Sequence, residues 1–524
     1  EPPLLIDHAT IIAPGTPGRV LHDHALLIEA GVIKAAAPSG ALRATFSTSP
    51  ETGNSHAAPA GALPTDEAFS QQATLDFTVP AGVRSIDAAG KILMPGFINA
   101  HTHCYSTFAR GLTKTVPAES FESVLNNLWW RLDKALTLED CYWSALSALL
   151  ESIRSGTTTL IDHHASPCAI RGSLEAIAKA FHETGLRGGL CYEVSDRDGA
   201  KAARAGLEEN AAFIRACRER RDLRIRAMFG LHASFTLGGE TLAAAAALGH
   251  DLGCGFHIHA AEAAVDQEHT LRHYGQRVVE RLHNHGLLGP GSIAAHGVHL
   301  DEREMALLAE TGTALVHNPQ SNLNNAVGIA DLTTLHERGV LTGLGTDAMT
   351  TRMGAEVRTA LWCQHLLHRD ASVGFQAATS ALLVNNPRIA SNLFGLPLGE
   401  IAEGAPADLL LIDYDPPTPL TEENWLGHFF YGITEAPVDT TIVAGKVLME
   451  ERQLRLDLDE KEVQARARER AEALGKGCKI SLLPGQLPPC AWSCTKKAAE
   501  EAAKRICSHA GRQQKLLTAF KPVR

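Results

Sequence analysis

Between residue 91 and about residue 390, short apolar segments ending in polar or reactive residues recur eight times: ILMPGFINAHTH, TTTLIDHH, GGLCYEV, IRAMFGLHAS, GCGFHIHAAE, SIAAHGVH, TALVHNP and LTGLGTDA. Amphipathic windows such as LEDCYWSALSALLESIRSG and LEAIAKAFHETG separate them. Strands that alternate with helices pair in parallel, because a helix must carry the chain back before the next strand begins. Eight such units over roughly 300 residues predict an α/β chain built as a (β/α)8 TIM barrel. The reactive residues fall at the C-terminal ends of the strands, the rim where barrels of this kind place their chemistry.

The flanks read differently. LLIDHATII and ALLIEAGVIKAAA near the start, and GEIAEGAPADLLLIDYD and VDTTIVAGKVLME near the end, are strand-like runs punctuated by turn residues. The two ends are expected to pair into a small composite β-sandwich. The predicted divisions are 1–90 for its N-terminal part, 91–395 for the barrel, 396–455 for its C-terminal part, and 456–524 for a helix and basic tail. Residues 45–82 are rich in Ser, Thr, Pro, Ala and Gly without any period, and are expected to form a mobile surface insertion.

Charge narrows the partners. The 524 residues carry a net charge of −11. Residues 476–524 hold 10 basic and 2 acidic side chains, which leaves 38 basic against 57 acidic for the remainder. An acidic body excludes a nucleic-acid-binding face on the main domain. No apolar run reaches the roughly 18 residues of a membrane span. The opening EPPLLIDHATII lacks the basic start and long apolar stretch of a secretory signal. Eleven cysteines with no repeated C-x-x-C read as free thiols, so a reducing, cytoplasmic setting is expected. The expected partners are a small-molecule substrate and further copies of the chain in a homo-oligomer.

The 25 histidines carry the chemistry. His101 and His103 form H-x-H at a strand end, where alternation points both side chains to one face. His259 ends another strand, with Glu262 three residues on. His257 competes for the same role, and the spacing to Glu262 favours His259. Asp347 is the only charged residue of LTGLGTDA, where a helix N-cap is the plain alternative to a ligand. His296 closes SIAAHGVH. Three imidazoles and a carboxylate around one divalent ion, zinc or iron, would leave room for water of lowered pKa. Asp347 is then placed to take the water's proton, His296 to polarise the attacking oxygen, and Glu262 to protonate a ring nitrogen.

Taken in order, PGFINAHTH, GTTTLIDHH, GLHASFTL, HIHAAE, AAHGVHL, HNPQSNLN and GLGTDA resemble the amidohydrolase superfamily, in the branch of guanine, adenosine-type and cytosine deaminases and triazine chlorohydrolases. HTHCYSTFARGL, LWWRLDKALTLED and TLIDHHASP are similar to the SsnA-type aminohydrolases. The resemblance spans about residues 1–455. It implies a barrel with a composite sandwich, one metal ion held by His101, His103, His259 and Asp347, and catalytic roles for Glu262, His296 and Asp347. It also implies substrate contact by His232, and by Asn322 in a loop shared with Asn318 and Ser321. Trp130 and His163 are expected to face the substrate; core packing is the alternative for one of Trp129 and Trp130, and His164 ends the same strand as His163. Arg110 and Lys114 read as solvated loop charges, with contact to an anionic substrate group the alternative.

GGLCYEVS, taken as the fourth strand, has no Lys to bridge a second ion, which favours a single metal. Ala348 stands where many relatives have Gly, so the substrate loop differs. The expected reaction is hydrolytic deamination of a nitrogen heterocycle. Hydrolysis of a cyclic amide or a carbon–halogen bond is the alternative, and a non-catalytic scaffold the third reading. The basic tail, with a possible short amphipathic helix in WSCTKKAAEEAAKRICSHAGRQQK, is expected to be dispensable for turnover.

Overall fold

The computed structural model describes residues 2–14, 18–44, 82–113, 118–477 and 481–482. The predicted insertion at 45–82 lies outside these residues except for its last position. The tail beyond Leu482, with its possible amphipathic helix, and Lys114 also lie outside them.

Eight strands run parallel. They are β1 (Phe97–Thr102), β2 (Thr157–His164), β3 (Arg187–Tyr192), β4 (Phe229–Ala233), β5 (Phe256–Ala260), β6 (Ile293–His296), β7 (Ala314–His317) and β8 (Thr342–Leu344). β1 to β3 form one parallel sheet, extended by the short strand Ile225–Ala227, and β4 to β8 form a second. Parallel bridges span both gaps between the sheets, Val194 to Leu231 and Thr102 to Asp347. Helices return the chain between successive strands, for example Leu138–Arg154, Ser173–Thr184 and Ala200–Arg220.

Local sequence explains these turns. The Thr137 hydroxyl accepts the Asp140 amide at 3.3 Å, and Asp140 accepts the Thr137 amide at 2.9 Å, a reciprocal cap that starts the helix Leu138–Arg154. Asp301 and Glu304 repeat the device before Glu302–Thr311. Strands covered on both faces need apolar residues throughout, and Leu160, Leu190, Leu231, Ile258, Leu315 and Leu344 are all fully buried. Each such side chain contributes about 1.5–3 kcal/mol on leaving water.

GGLCYEV is the third parallel strand rather than the fourth. The fourth, Phe229–Ala233, also lacks Lys, so the inference drawn from that absence moves to β4.

Both ends of the chain enter one nine-stranded mixed sheet. Ile92–Pro95 pairs antiparallel with Leu409–Ile412 and parallel with Leu4–Ala13, which joins the N-terminal strands to those at 438–454. Ile6, Ile11, Leu26, Ile33, Leu409 and Ile442 share a buried cluster there. The helix Glu460–Gly477 packs back on Leu138–Arg154, burying Val463 and Leu474 and pairing Arg470 with Asp140 at 2.7 Å. Ser481–Leu482 adds an antiparallel pair to Leu112–Thr113, so part of the basic tail meets the loop that follows β1. Among the described residues, no helix is long and apolar enough to cross a membrane.

Candidate active site

The histidine- and aspartate-tipped ends of the eight strands converge. His101 Nε2 lies 3.2 Å from Asp347 Oδ1, His103 Nε2 lies 3.0 Å from the same oxygen, and His103 Nε2 is 3.2 Å from His259 Nε2. The four residues read as metal ligands in the sequence thus share one centre. Their second ring nitrogens fix how they face it. His103 Nδ1 donates to the His163 carbonyl, His259 Nδ1 to the His232 carbonyl at 2.9 Å, and His101 Nδ1 meets His257 Nε2 at 2.9 Å. With each Nδ1 proton directed away, each Nε2 points inward, and His101 and His103 hydrogen-bond to Asp347 through it. With those protons displaced, three imidazole nitrogens and a carboxylate would fit a divalent cation. His257, the competing ligand, is fully buried behind His101 and outside this centre.

The electrostatics express the same crowding. Burial lowers His101 to about 3 despite its hydrogen bond to Asp347. Burial opposes the charge on His103 as well, but Asp347 carries its pKa up to about 9. Asp347 stays well below the ordinary carboxylate range although it is buried, because His101 and His103 hydrogen-bond to it. Its other oxygen accepts the Ser321 hydroxyl. Burial pushes Glu262 the opposite way, up to about 7, with His296 opposing the rise. Asp347 and His296 adopt φ of +57° and +82°, the left-handed region in which non-glycine residues are strained.

His296 is fully buried; its Nδ1 donates to Asn322 Oδ1 at 2.8 Å. Its Nε2 has no hydrogen-bond partner and faces Glu262 Oε2 at 3.5 Å. Asn325 reaches both Glu262 and Ser321 at 3.4 Å. A cleft opens on this group. His103, His259, Glu262 and Asp347 form its floor, and Trp129, Trp130, His232 and Phe235 form part of its wall.

The structure therefore brings His232 and Trp130 to the cleft. Asn322 lies behind His296, His163 behind Glu193, and His164 turns away to Ser166 at 2.9 Å. Arg110 is spent on Glu151 and on the Met349 carbonyl. Among the wall residues that the sequence does not single out are Asp133, Glu193 and Arg197. Glu193 offered a signal, as the lone charge closing the apolar GGLCYEV. Asp133 and Arg197 offered none, because their pairing joins residues 64 positions apart in loops and helix ends.

Comparison with known proteins gives the same picture. The amidohydrolase family model matches residues 92–448. The chain is 34% identical over 400 residues to the 5-methylthioadenosine/S-adenosylhomocysteine deaminase of Pelotomaculum thermopropionicum, covering 75% of this chain and 89% of that protein. It is 34% identical over 403 residues to the 5'-deoxyadenosine deaminase of Methanobrevibacter smithii, with the same coverage of 75% and 89%. Among solved structures, an adenosine deaminase from Xanthomonas campestris with bound zinc superimposes with a TM-score of 0.74 at 24% identity, covering 90% of this chain and 98% of that one. The guanine deaminase of E. coli superimposes with a TM-score of 0.68 at 19% identity, covering 86% and 99%. Matched by the family model over most of its length, the chain belongs to the amidohydrolase family.

Proposed function

We propose that this chain is a metal-dependent hydrolase that removes ammonia from an amidine-like carbon of a nitrogen heterocycle, with purine nucleosides of the adenosine type as its substrate class. The observation that carries the reading is the opposed state of two neighbouring carboxyls. Asp347 is held ionised while burial keeps Glu262 near neutrality, so one acts as base and the other as acid at the same pH. The relatives named as adenosine-type deaminases support the substrate class.

His101, His103, His259 and Asp347 would hold the ion, with zinc favoured over iron. A divalent cation there supplies the positive charge that makes water acidic near neutral pH. Asp347 accepts a proton from the attacking water. His296 presents Nε2 towards the attacking oxygen, its ring fixed by Asn322. Glu262 passes a proton to the ring nitrogen beside the carbon under attack. Trp130 and His232 bound the heterocycle, and His163 and Asn322 act from behind Glu193 and His296.

The same reading closes the two parallel sheets into a (β/α)8 barrel spanning 91–395 through the Thr102–Asp347 and Val194–Leu231 bridges. The mixed sheet then folds over its shared core as a composite sandwich of 1–90 and 396–455, leaving 456–524 as a terminal extension. Free cysteines, seven of them among the described residues, suit a cytoplasmic setting. Exposed Trp362, Leu366 and Tyr431 suit a homo-oligomer.

The test is ammonia release from adenosine, 5'-deoxyadenosine, methylthioadenosine, guanine and cytosine, before and after chelation. Chelator-sensitive release from the adenosine set is expected. Turnover of cyclic amides or chlorinated triazines with no ammonia released from any amine would replace the proposal with the alternative hydrolysis.

A further inference from the structure

Asp347 and Ala348 line the active-site cleft, whereas the next residue, Met349, lines a second cleft together with Arg110 and Glu151. Two left-handed residues make this turn, Asp347 at φ +57° and Met349 at φ +68°. Non-glycine residues stay in that backbone region only where their surroundings force them to. Here the surroundings come from one segment, His101 to Arg110. The Asp347 amide donates to the His101 carbonyl at 3.0 Å, and its carbonyl accepts the His103 amide at 2.8 Å. The Met349 amide donates to Ser106 Oγ at 2.7 Å, and its carbonyl accepts Arg110 Nε at 2.5 Å. Ala348 lies between these two clamps.

The clamps hold different things. The first fixes Asp347, a residue of the candidate metal centre. The second fixes Met349, and with it the side of the loop on which Ala348 meets the cleft. Arg110 is shaped for that second task. Its Nη1 and Nη2 donate to the two oxygens of Glu151 at 2.5 Å and 2.7 Å, and Glu151 sits in the helix Leu138–Arg154. A bidentate pair of this kind sets the plane of the guanidinium and leaves the Nε hydrogen free to donate. That hydrogen is aimed at the Met349 carbonyl. The two side chains are 38% and 41% exposed, and an ion pair so open to water adds little to the stability of a fold. Its effect is one of direction.

We infer that Arg110, seated by Glu151 and assisted by Ser106, is a positioning residue that sets where Ala348 stands in the cleft wall. The inference rests on the deamination reading, which makes that cleft the place where substrate is held. Arg110 itself takes no part in the chemistry, since its donors are all turned to Glu151 and to the Met349 backbone. Without Arg110 the Met349 carbonyl loses its donor, and the strained turn is free to relax. Asp347 keeps its own two bonds, to the His101 carbonyl and the His103 amide, so the candidate metal centre stays in place. The wall moves while the centre does not. Substrate binding should therefore suffer more than the turnover of bound substrate.

Purified, metal-loaded enzyme tests this with the best substrate of the ammonia-release panel. Arg110→Ala should raise KM about tenfold while kcat falls less than about threefold, with metal content unchanged. The place it vacates opens on the second cleft, so millimolar guanidinium chloride, far below its denaturing range, should bring KM back. Sodium chloride at equal ionic strength should not. Arg110→Lys, a point donor without the fork, should recover KM only in part. Amide hydrogen exchange across residues 346–352 reads the loop without turnover. Arg110→Ala should exchange there about tenfold faster than the wild type, and guanidinium should slow it again. Should Arg110→Ala fail to fold, Ser106→Ala, which removes the acceptor of the Met349 amide, carries the same KM and exchange expectations. An unchanged KM, a loss of metal, unaltered exchange, or no rescue by guanidinium overturns the inference. A wild type that releases ammonia from no substrate fails the deamination reading instead, and the exchange comparison still decides whether Arg110 holds the loop.

Discussion

The His101 carbonyl accepts the Asp347 amide at 3.0 Å, and His101 Nε2 lies 3.2 Å from Asp347 Oδ1, so backbone and side chain both tie residues 246 positions apart. The last parallel strand is clamped to the first at the point where chemistry is needed. Asp347→Asn keeps the shape but replaces a charged acceptor with a neutral group that also donates. Activity should fall by about 1,000-fold or more, because the same substitution weakens the ion and removes the base. Ammonia release by the folded variant, with its metal content measured alongside, checks this. Near-normal turnover at full metal occupancy would contradict the role.

Asp266 supports the loop that carries Glu262, accepting the Ala261 amide at 2.9 Å while its Oδ1 has no partner. Burial raises its pKa from the ordinary value to about 7. The folded chain therefore binds more protons than the unfolded one between about pH 4 and 7. The stability cost is absent below that window, grows as pH rises through it, and is complete above it. Asp266→Asn, never charged, should lose less stability than the wild type between pH 4 and 8. The gap is bounded by about 4 kcal/mol. Thermal unfolding of both proteins across that range reads the difference, and parallel curves would show that Asp266 is not the group responsible.

Much of this site was legible because strand ends advertise it. An apolar strand has no packing reason to finish in His or Asp, so H-x-H at 101–103, His259, His296 and Asp347 stood out from their surroundings. The pairing of both chain ends was legible for the same reason, through alternation in LLIDHATII and VDTTIVAGKV. What escaped notice depends on contacts that no window contains. Asp133, in the short helix Trp130–Ala135, and Arg197, in the loop after β3, meet only once the chain between them is folded. Asn322 sits in a substrate-like motif, yet its partner is the Nδ1 of His296. The basic tail looked detachable, but Ser481 and Leu482 pair with Thr113 and Leu112, so truncation at 477 removes a strand that truncation after 482 keeps.

Arg281 is fully buried with its guanidinium over the Tyr274 ring at 3.5 Å. It donates to the Ser234 carbonyl at 2.7 Å, the Ser234 hydroxyl at 2.9 Å and the Leu237 carbonyl at 2.7 Å. These bonds fix the turn that presents His232 and Phe235 to the cleft. Lys cannot span three acceptors in this fork geometry. Arg281→Lys should cost about 2–4 kcal/mol, since at least one buried carbonyl is left without a donor. KM should rise more than kcat falls, because the cleft wall moves while the ligand set does not. Chemical denaturation and steady-state kinetics measure the two effects. A kcat loss with KM unchanged would place the damage at the centre instead.

Gly345 directly follows β8 and packs against His101 of β1. A Cβ there would stand 2.5 Å from the His101 carbonyl oxygen and 2.5 Å from Asn318 Oδ1, with His101 Cβ at 2.9 Å. The carbonyl cannot swing away, because it accepts the amides of both Thr346 and Asp347 at 3.0 Å. The strand end must retreat, and Asp347 retreats with it from His101 and His103. Gly345→Ala should therefore weaken metal retention about tenfold or more, a larger effect than its loss of folding stability would suggest. Gly427→Ala, whose Cβ meets nothing within 4 Å, is the matched control and should retain metal as the wild type does. Metal competition with a chelator of known affinity separates the two variants. If Gly345→Ala holds its ion as tightly as Gly427→Ala, the clamp between β1 and β8 does not set the geometry of the centre.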